Sequence, residues 1–208
     1  MNRVFARSAT QIQSSNNKDY RGSNNSSDNT SLIKPRYNII TIERLELFNT
    51  AIYAAIVDDA SAKGGKRYIL IEPTLTSRDV KNLAFIKQVI IDELLIDMSM
   101  VQRSTKKEME DKLSYELETI AKKYDLHVNR SFNKLRYYLI RDLLYLGKIE
   151  PLMHDHMIEE VNCDGPNIPL YIWHREHESL PTNIVFSDEE LNSMVIKMAY
   201  LAGKHISL

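Results

Sequence analysis

The chain has 208 residues, of which 43% are hydrophobic and 26% charged, a composition that excludes a collagen-like or wholly disordered protein. Lys and Arg total 27 against 28 for Asp and Glu, a formal net charge of -1, so the basic excess of a phosphate-neutralising nucleic-acid binder is missing. The six glycines include no set spaced for a phosphate loop or a dinucleotide fingerprint, which excludes a P-loop ATPase or a Rossmann dehydrogenase within this chain.

Residues 1–34 contain Ser14-Ser15-Asn16-Asn17 and a Ser/Asn run from Ser23 to Ser31, with almost nothing apolar to bury. Such a segment cannot offset its own ordering entropy, and a solvated, disordered tail is expected. Structure is expected to begin near Pro35. The runs Tyr37 to Leu47 and Ala51 to Val57 are rich in Ile and Tyr, and Gly64-Gly65 separates them from Arg67-Tyr68-Ile69-Leu70-Ile71, closed by Pro73. This pattern favours an antiparallel hairpin, although Ala54-Ala55 leaves a helix over Thr41 to Ala60 open.

From Thr76 the period becomes helical. Thr76 or Ser77 can cap a helix carrying Val80, Leu83, Ile90, Leu94 and Met98 on one face and ending near Ser99. A second helix follows on the stripe Met109, Leu113, Leu117, Ile120 and Tyr124, with Glu108–Lys112 and Glu118–Lys122 as favourable i,i+4 pairs. A third, opened by Ser131, runs through Leu135, Tyr138, Leu139 and Leu143 to about Gly147. After Pro151 strands return at Met157 to Cys163, Leu170 to His174 and Asn183 to Phe186, with Glu176 to Thr182 as a connection. Ser187 or Asp188 caps a last helix with Met194, Met198 and Leu201 inward and Gly203 as its stop, after which the chain looks interrupted. The expected fold is α+β: a β-hairpin region and helical subdomain over 35–147, then a small antiparallel sheet packed with a C-terminal helix over 148–208.

The candidate chemistry is sparse. His154-x-His156 and His174-x-x-His177 flank Cys163, but i,i+2 residues share a face only on a strand and i,i+3 residues only on a helix, and these pairs fall at a turn and a hairpin. No metal is assigned. Cys163, at the end of an apolar strand, reads as a small core residue rather than a nucleophile. One cysteine gives no disulfide framework, which points to the cytoplasm. No stretch approaches the roughly 20 apolar residues of a membrane span, so direct membrane insertion is not expected. Tyr137, Tyr138 and Tyr145 read as packing residues with wet hydroxyls. The residues alone describe a noncatalytic α+β binding or docking domain.

A resemblance sharpens this. The segments Tyr137-Tyr138-Leu139-Ile140-Arg141-Asp142, Gly147 to Asp155, Ile158 to Pro166, Pro169 to Arg175, Leu180 to Ile184 and Leu201 to Ser207 resemble, in order and spacing, the N-terminal region of archaeal type II/IV secretion-system ATPases. Tyr68-Ile69-Leu70-Ile71-Glu72-Pro73 is similar to a strand-Glu-Pro element of the same proteins, while Tyr145-Leu146 departs from the Gly-aromatic pair expected before Gly147.

The resemblance implies the N-terminal domain of a hexameric motor for archaellum, pilus or secretion assembly, working at the inner face of the membrane through a polytopic platform protein. ATP and Mg2+ would be held by a RecA-like domain, in cis or in trans, and none by this chain. The resemblance also makes Arg175, and after it Arg141, candidates for sensing phosphate held by that domain. Arg141, beside Asp142 in an apolar helix, reads from the residues as a structural ion-pair partner. The alternative, from another class, is a free-standing interaction protein binding a platform or motor.

Overall fold

The computed structural model describes residues 38–94 and 105–201. The first three strands form a meander: β1 (Ile39–Leu47), β2 (Thr50–Asp58) and β3 (Lys66–Ile71), antiparallel throughout. The hairpin reading therefore holds over 41–60. Ala54 and Ala55 suit a strand because β2 is buried on both faces, with Ala54, Ala55, Ile56 and Val57 all within 4% of complete burial. The β1–β2 turn places Phe48 and Asn49 at positive φ, 52° and 60°, as the mirror-image two-residue hairpin turn requires. That conformation is uncommon for phenylalanine, and the surroundings hold it: the ring packs on Tyr137 and Tyr145, and Arg136 Nη1 donates to the Phe48 carbonyl at 2.8 Å.

The β2–β3 loop is organised by the buried Asp59. Its carboxylate accepts from the Ser61 N–H and hydroxyl and from Arg67 Nε at 2.5 Å. The Ser61 bonds, then Arg67, hold its pKa down at about 2.

Three helices follow: α1 (Ser77–Leu94), α2 (Lys106–Lys123) and α3 (Phe132–Leu144). Thr76 caps α1 in a reciprocal pair with Asp79, each side chain accepting from the other's backbone N–H. Thr105 and Glu108 do the same for α2. Glu108 is thus spent on the cap, and the described pairs along α2 are Lys107–Asp111 and the expected Glu118–Lys122. The expected stripe Met109, Leu113, Leu117 and Ile120 is buried, joined by Ala121, whereas Tyr124 lies at the C-cap and is 44% exposed. On α1, Leu83 and Ile90 are inward with Ile86, but Val80 in the first turn is exposed.

A 3-10 helix (Gly147–His154) leads into β4 (Ile158–Asn162), β5 (Pro169–His174), β6 (Glu178–Val185) and α4 (Asp188–Leu201). Strand β6 starts within the stretch expected to be a connection. His174 pairs with Glu178 across a turn of only Arg175 to His177. The polar residues Glu178 and Ser179 looked like loop because their outward faces are exposed, yet pairing with β5 satisfies their backbone. Cys163 is exposed beyond the edge strand β4, which corrects its reading as a core residue. Ser187 and Glu190 form the cap of α4; Leu191 and Met194 pack on the sheet core, while Met198, expected inward, is 43% exposed. The tail over 1–34, the helix end near Ser99 and the Gly203 stop lie outside the described residues.

The architecture is α+β, with one mixed six-stranded sheet in the order β1-β2-β3-β6-β5-β4. Every neighbouring pair is antiparallel except β3 and β6, which run parallel and share a single backbone register position, Tyr68 with Thr182. The seam is completed by side chains. The Asn183 carboxamide accepts from the Leu70 N–H and donates to the Leu70 carbonyl, both at 2.9 Å, standing in for a strand's own peptide group. Arg67 Nη1 donates to the Thr182 carbonyl at 3.1 Å. One core lies on the sheet face, between Leu45, Ile52, Tyr68, Leu170, Ile172 and the 3-10 helix residues Ile149 and Leu152; a second lies among α1, α2 and α3. Helix α3 belongs to both, through Tyr137 on one side and Leu135, Leu139 and Ile140 on the other.

The Asn183 clip yields a test. Asn183→Ala removes two partners from a partly buried peptide and is expected to cost about 1–3 kcal/mol in urea unfolding. Asn183→Asp keeps the acceptor but loses the donor, and should not recover wild-type stability. An unchanged midpoint in Asn183→Ala would show that the seam does not need the carboxamide.

Candidate functional site

Past Thr182, β3 and β6 diverge and α3 closes the gap between them. The resulting cleft of about 280 Å3 is lined by Leu70, Glu72, Tyr138, Arg141, Lys148 and Asn183, among others. Glu72 arrives from the end of β3, where Pro73 stops the strand. Arg141 arrives from α3, on the turn that also carries Tyr137 and Tyr138.

Arg141 is the centre of the cleft. Its side chain is 7% exposed, and its Nη1 donates to Glu72 Oε1 at 2.5 Å while its Nε donates to Asp142 Oδ1 at 2.6 Å. The Tyr137 hydroxyl donates to the same Glu72 oxygen at 2.7 Å, and the Tyr138 hydroxyl donates to the Pro73 carbonyl at 2.8 Å. The guanidinium lies 4.7 Å from the Tyr138 ring centroid, a cation–π contact in a water-poor setting. These tyrosines are packing residues, as read from the sequence, with hydroxyls that donate to protein groups. Burial, then the Glu72 carboxylate, pushes both phenols well above their ordinary pKa.

Further charges extend the network. Lys87 of α1 bonds the second Asp142 oxygen. Lys197 of α4 donates to the Asp142 carbonyl at 2.8 Å and the Leu143 carbonyl at 3.3 Å, at the negative end of α3. Lys148 bridges Glu190 at 2.6 Å and the Val185 carbonyl at 3.1 Å. Burial raises the Asp142 pKa, but Arg141 and Lys87 outweigh it and leave the carboxyl below its ordinary value. Glu190 behaves likewise, with Lys148 and the Ser187 cap outweighing burial. Glu72, Asp142, Arg141 and Lys87 satisfy one another and Lys148 pairs with Glu190, while Lys197 is held by backbone carbonyls and burial lowers its pKa, so the arrangement stiffens a junction.

Arg175 sits elsewhere, exposed on the β5–β6 turn. Its Nε is 3.3 Å from Glu159 Oε1, and its backbone N–H donates to the Met157 carbonyl. The two arginines therefore have different charge partners, Glu159 for one and Glu72 with Asp142 for the other. Arg141 is the structural ion-pair partner that its helix position suggested. Glu72, 69 residues away, was reachable from the sequence only through the Glu72-Pro73 pair at a strand end.

In the first histidine pair His154 turns back to Glu150; in the second the two rings are brought into contact, although the pair sits at a hairpin turn. His154 Nε2 is 2.9 Å from Glu150 Oε1 one turn back, and the His174 and His177 rings lie 5.1 Å apart, with His174 Nδ1 accepting from the Glu176 N–H. A larger groove, about 640 Å3, runs beside the α2–α3 connection, with an apolar floor of Ala121, Leu126, Val128 and Phe132 and the polar residues Glu118, Lys122, Asp125, His127 and Asn129 around it. Its His127 ring nitrogen already meets the Asp125 carbonyl at 3.1 Å.

No family model matches the chain. It is 34% identical over 172 residues to the uncharacterized protein MJ1288 of Methanocaldococcus jannaschii, an alignment covering 82% of this chain and 67% of the relative. In the same organism it is 26% identical over 163 residues to the uncharacterized protein MJ0900, covering 68% of this chain and 29% of the relative. It is also 34% identical over 61 residues to the uncharacterized protein MJ0781, covering 29% and 8%. The chain thus spans two thirds of the length of the first relative and under a third of the other two.

The network fixes a pH dependence. Asp142 and Glu190 have folded pKa values below their ordinary 3.8 and 4.5, so their stabilisation is complete above those values and is lost as pH falls through the lowered ones. Through these two carboxyls unfolding free energy should fall steeply below about 4, and the lowered pKa of the buried His174 adds a decline that begins as pH falls through its ordinary value of 6.5. Asp142→Asn should be less stable at pH 7 and flatter on the acid side. An acid limb of wild-type steepness in Asp142→Asn would remove this carboxyl from the node.

Proposed function

The chain belongs to the family of the M. jannaschii protein MJ1288, and we propose that it serves as the noncatalytic regulatory and docking domain of a type II/IV secretion-type ATPase, a motor for pilus, archaellum or protein-secretion assembly. The observation that carries this reading is where the resembling segments lie. Tyr68 to Pro73 supplies Glu72, Tyr137 to Asp142 supplies Arg141 and Asp142, and Leu180 to Ile184 supplies Asn183, so segments far apart in sequence meet at one junction. A motif set tied to one rigid node is what a domain transmitting force or closure needs.

Two further features support the reading. The chain aligns with under a third of MJ0900 and a small part of MJ0781, so in those proteins the matching region is one portion of a longer chain. Helix α4 turns Val195, Ile196 and Met198 outward, 43–52% exposed, an apolar side that a RecA-like domain in cis or in trans would cover. In this reading ATP and Mg2+ sit on the RecA-like domain, the assembly is a hexamer, and a polytopic platform protein brings it to the cytoplasmic face of the membrane. Among the described residues no helix is long and apolar enough to cross a membrane. Arg175 is the group offered to the nucleotide, because its exposure and single long ion pair leave it free to change partners, whereas Arg141 is committed to its node.

The alternative is a free-standing interaction protein, favoured by the same exposed side of α4. Reconstitution separates the two. The isolated chain should not hydrolyse ATP, lacking a cradle of backbone N–H groups for phosphate. Joined to the RecA-like motor domain of its host, it should raise turnover, and Arg175→Ala should lower that turnover by roughly tenfold with unchanged melting, Arg175→Lys recovering only part. Binding without any effect on turnover would favour the interaction protein, and steady hydrolysis by the isolated chain would contradict both readings.

A further inference from the structure

We propose that Glu43, Asp155 and His156 form a binding site for a first-row divalent transition metal ion, with Zn2+ as the best-matched probe. A carboxylate oxygen from each acid and a ring nitrogen of His156 all lie within 4.8 Å of one another. The three come from opposite ends of the fold: Glu43 from β1, the other two from the junction of the 3-10 helix and β4. This site stands on its own geometry and does not depend on the docking role.

The sheet explains the convergence. Glu43 pairs with Ala54, and Ala54 with Leu70, so Glu43 lies on the sheet face that carries Tyr68 and Leu70. From that face the Tyr68 hydroxyl donates to Asp155 Oδ2 at 2.8 Å, and the Met157 N–H donates to Asp155 Oδ1 at 2.9 Å. The Asp155 carboxylate is thus oriented by groups behind it, as ligating carboxylates are.

Charge supplies the independent argument. Asp155 is 4% exposed, yet among the described residues no Lys or Arg forms an ion pair with it or with Glu43. Buried carboxylates ordinarily have a cationic partner or a metal.

One imidazole nitrogen with two carboxylate oxygens matches zinc and its first-row neighbours better than magnesium or calcium, which take oxygen alone. With metal–ligand distances of about 2.1 Å, tetrahedral ligands stand roughly 3.4 Å apart. The widest pair must then contract by at most about 1.4 Å, within reach of side-chain rotation at Glu43 and His156, both exposed. Three protein ligands leave a position for water, and the ion would tie β1 to the start of β4.

Calorimetric titration of the chelator-stripped chain with ZnCl2, paired with thermal melts, tests this. We expect one equivalent to bind, and at a hundredfold excess over Kd the melting temperature to rise by roughly 5–10 °C. Glu43→Gln and His156→Asn should each weaken binding at least tenfold while leaving the metal-free melting temperature unchanged, since neither side chain is buried. His154→Asn and His177→Asn should bind as wild type does. Absence of binding, equal affinity in His156→Asn, or loss of binding in His177→Asn would each overturn the site.

Discussion

The buried Arg141 guanidinium is the interaction on which the rest of this fold depends. A cation taken out of water is tolerated only where its charge and hydrogen-bonding sites are met, and removing one partner of such a pair costs about 3–5 kcal/mol. Here the partners come from two directions, Glu72 at the end of β3 and Asp142 on α3 itself. Asp142 in turn draws in Lys87 of α1, and the end of α3 receives Lys197 of α4. Four elements are thereby fixed around one charge. The two apolar cores meet at α3, so the helix cannot slide along either core without uncoupling this network.

The same economy appears at the seam. The sheet is continuous, but its parallel step between β3 and β6 holds one backbone register position and relies on Asn183 and Arg67 for the remainder. Polar side chains do the work of backbone where two strands splay, and the splay opens the cleft that Arg141 and Lys148 line. A cleft whose charges are mutually satisfied suits a junction that transmits position.

What was legible in the sequence follows from the range of each interaction. The buried stripe of helix α2 and its Glu118–Lys122 pair are legible because they are local, whereas the Thr105 cap, which takes Glu108 away from Lys112, went unread. Strand β6 was read short because its first residues are polar and owe their conformation to β5. Cys163 was misplaced because an edge strand leaves both faces half open, so an apolar neighbourhood in sequence did not mean burial. Arg141 could be read as an ion-pair residue from its setting in an apolar helix, but Glu72, 69 residues away, could not be paired with it by spacing. Glu43 and His156 are farther apart still, and they meet where Tyr68, on the sheet face that Glu43 shares, bonds Asp155 beside His156. The hairpin brings the His174 and His177 rings together, which the face-sharing rule for i,i+3 residues does not anticipate, and the grouping of His156 with two distant carboxylates lies beyond any local pattern.

The node can be measured directly by a double-mutant cycle between Glu72 and Arg141, using Glu72→Gln, Arg141→Met and the double variant in urea unfolding at neutral pH. If Arg141 organises the junction through Glu72, the two substitutions will be non-additive by about 1–3 kcal/mol, because the second change finds its partner already gone. Additivity to within about 0.5 kcal/mol would mean that the two groups contribute independently, and the account of one charge locking sheet to helices would be wrong.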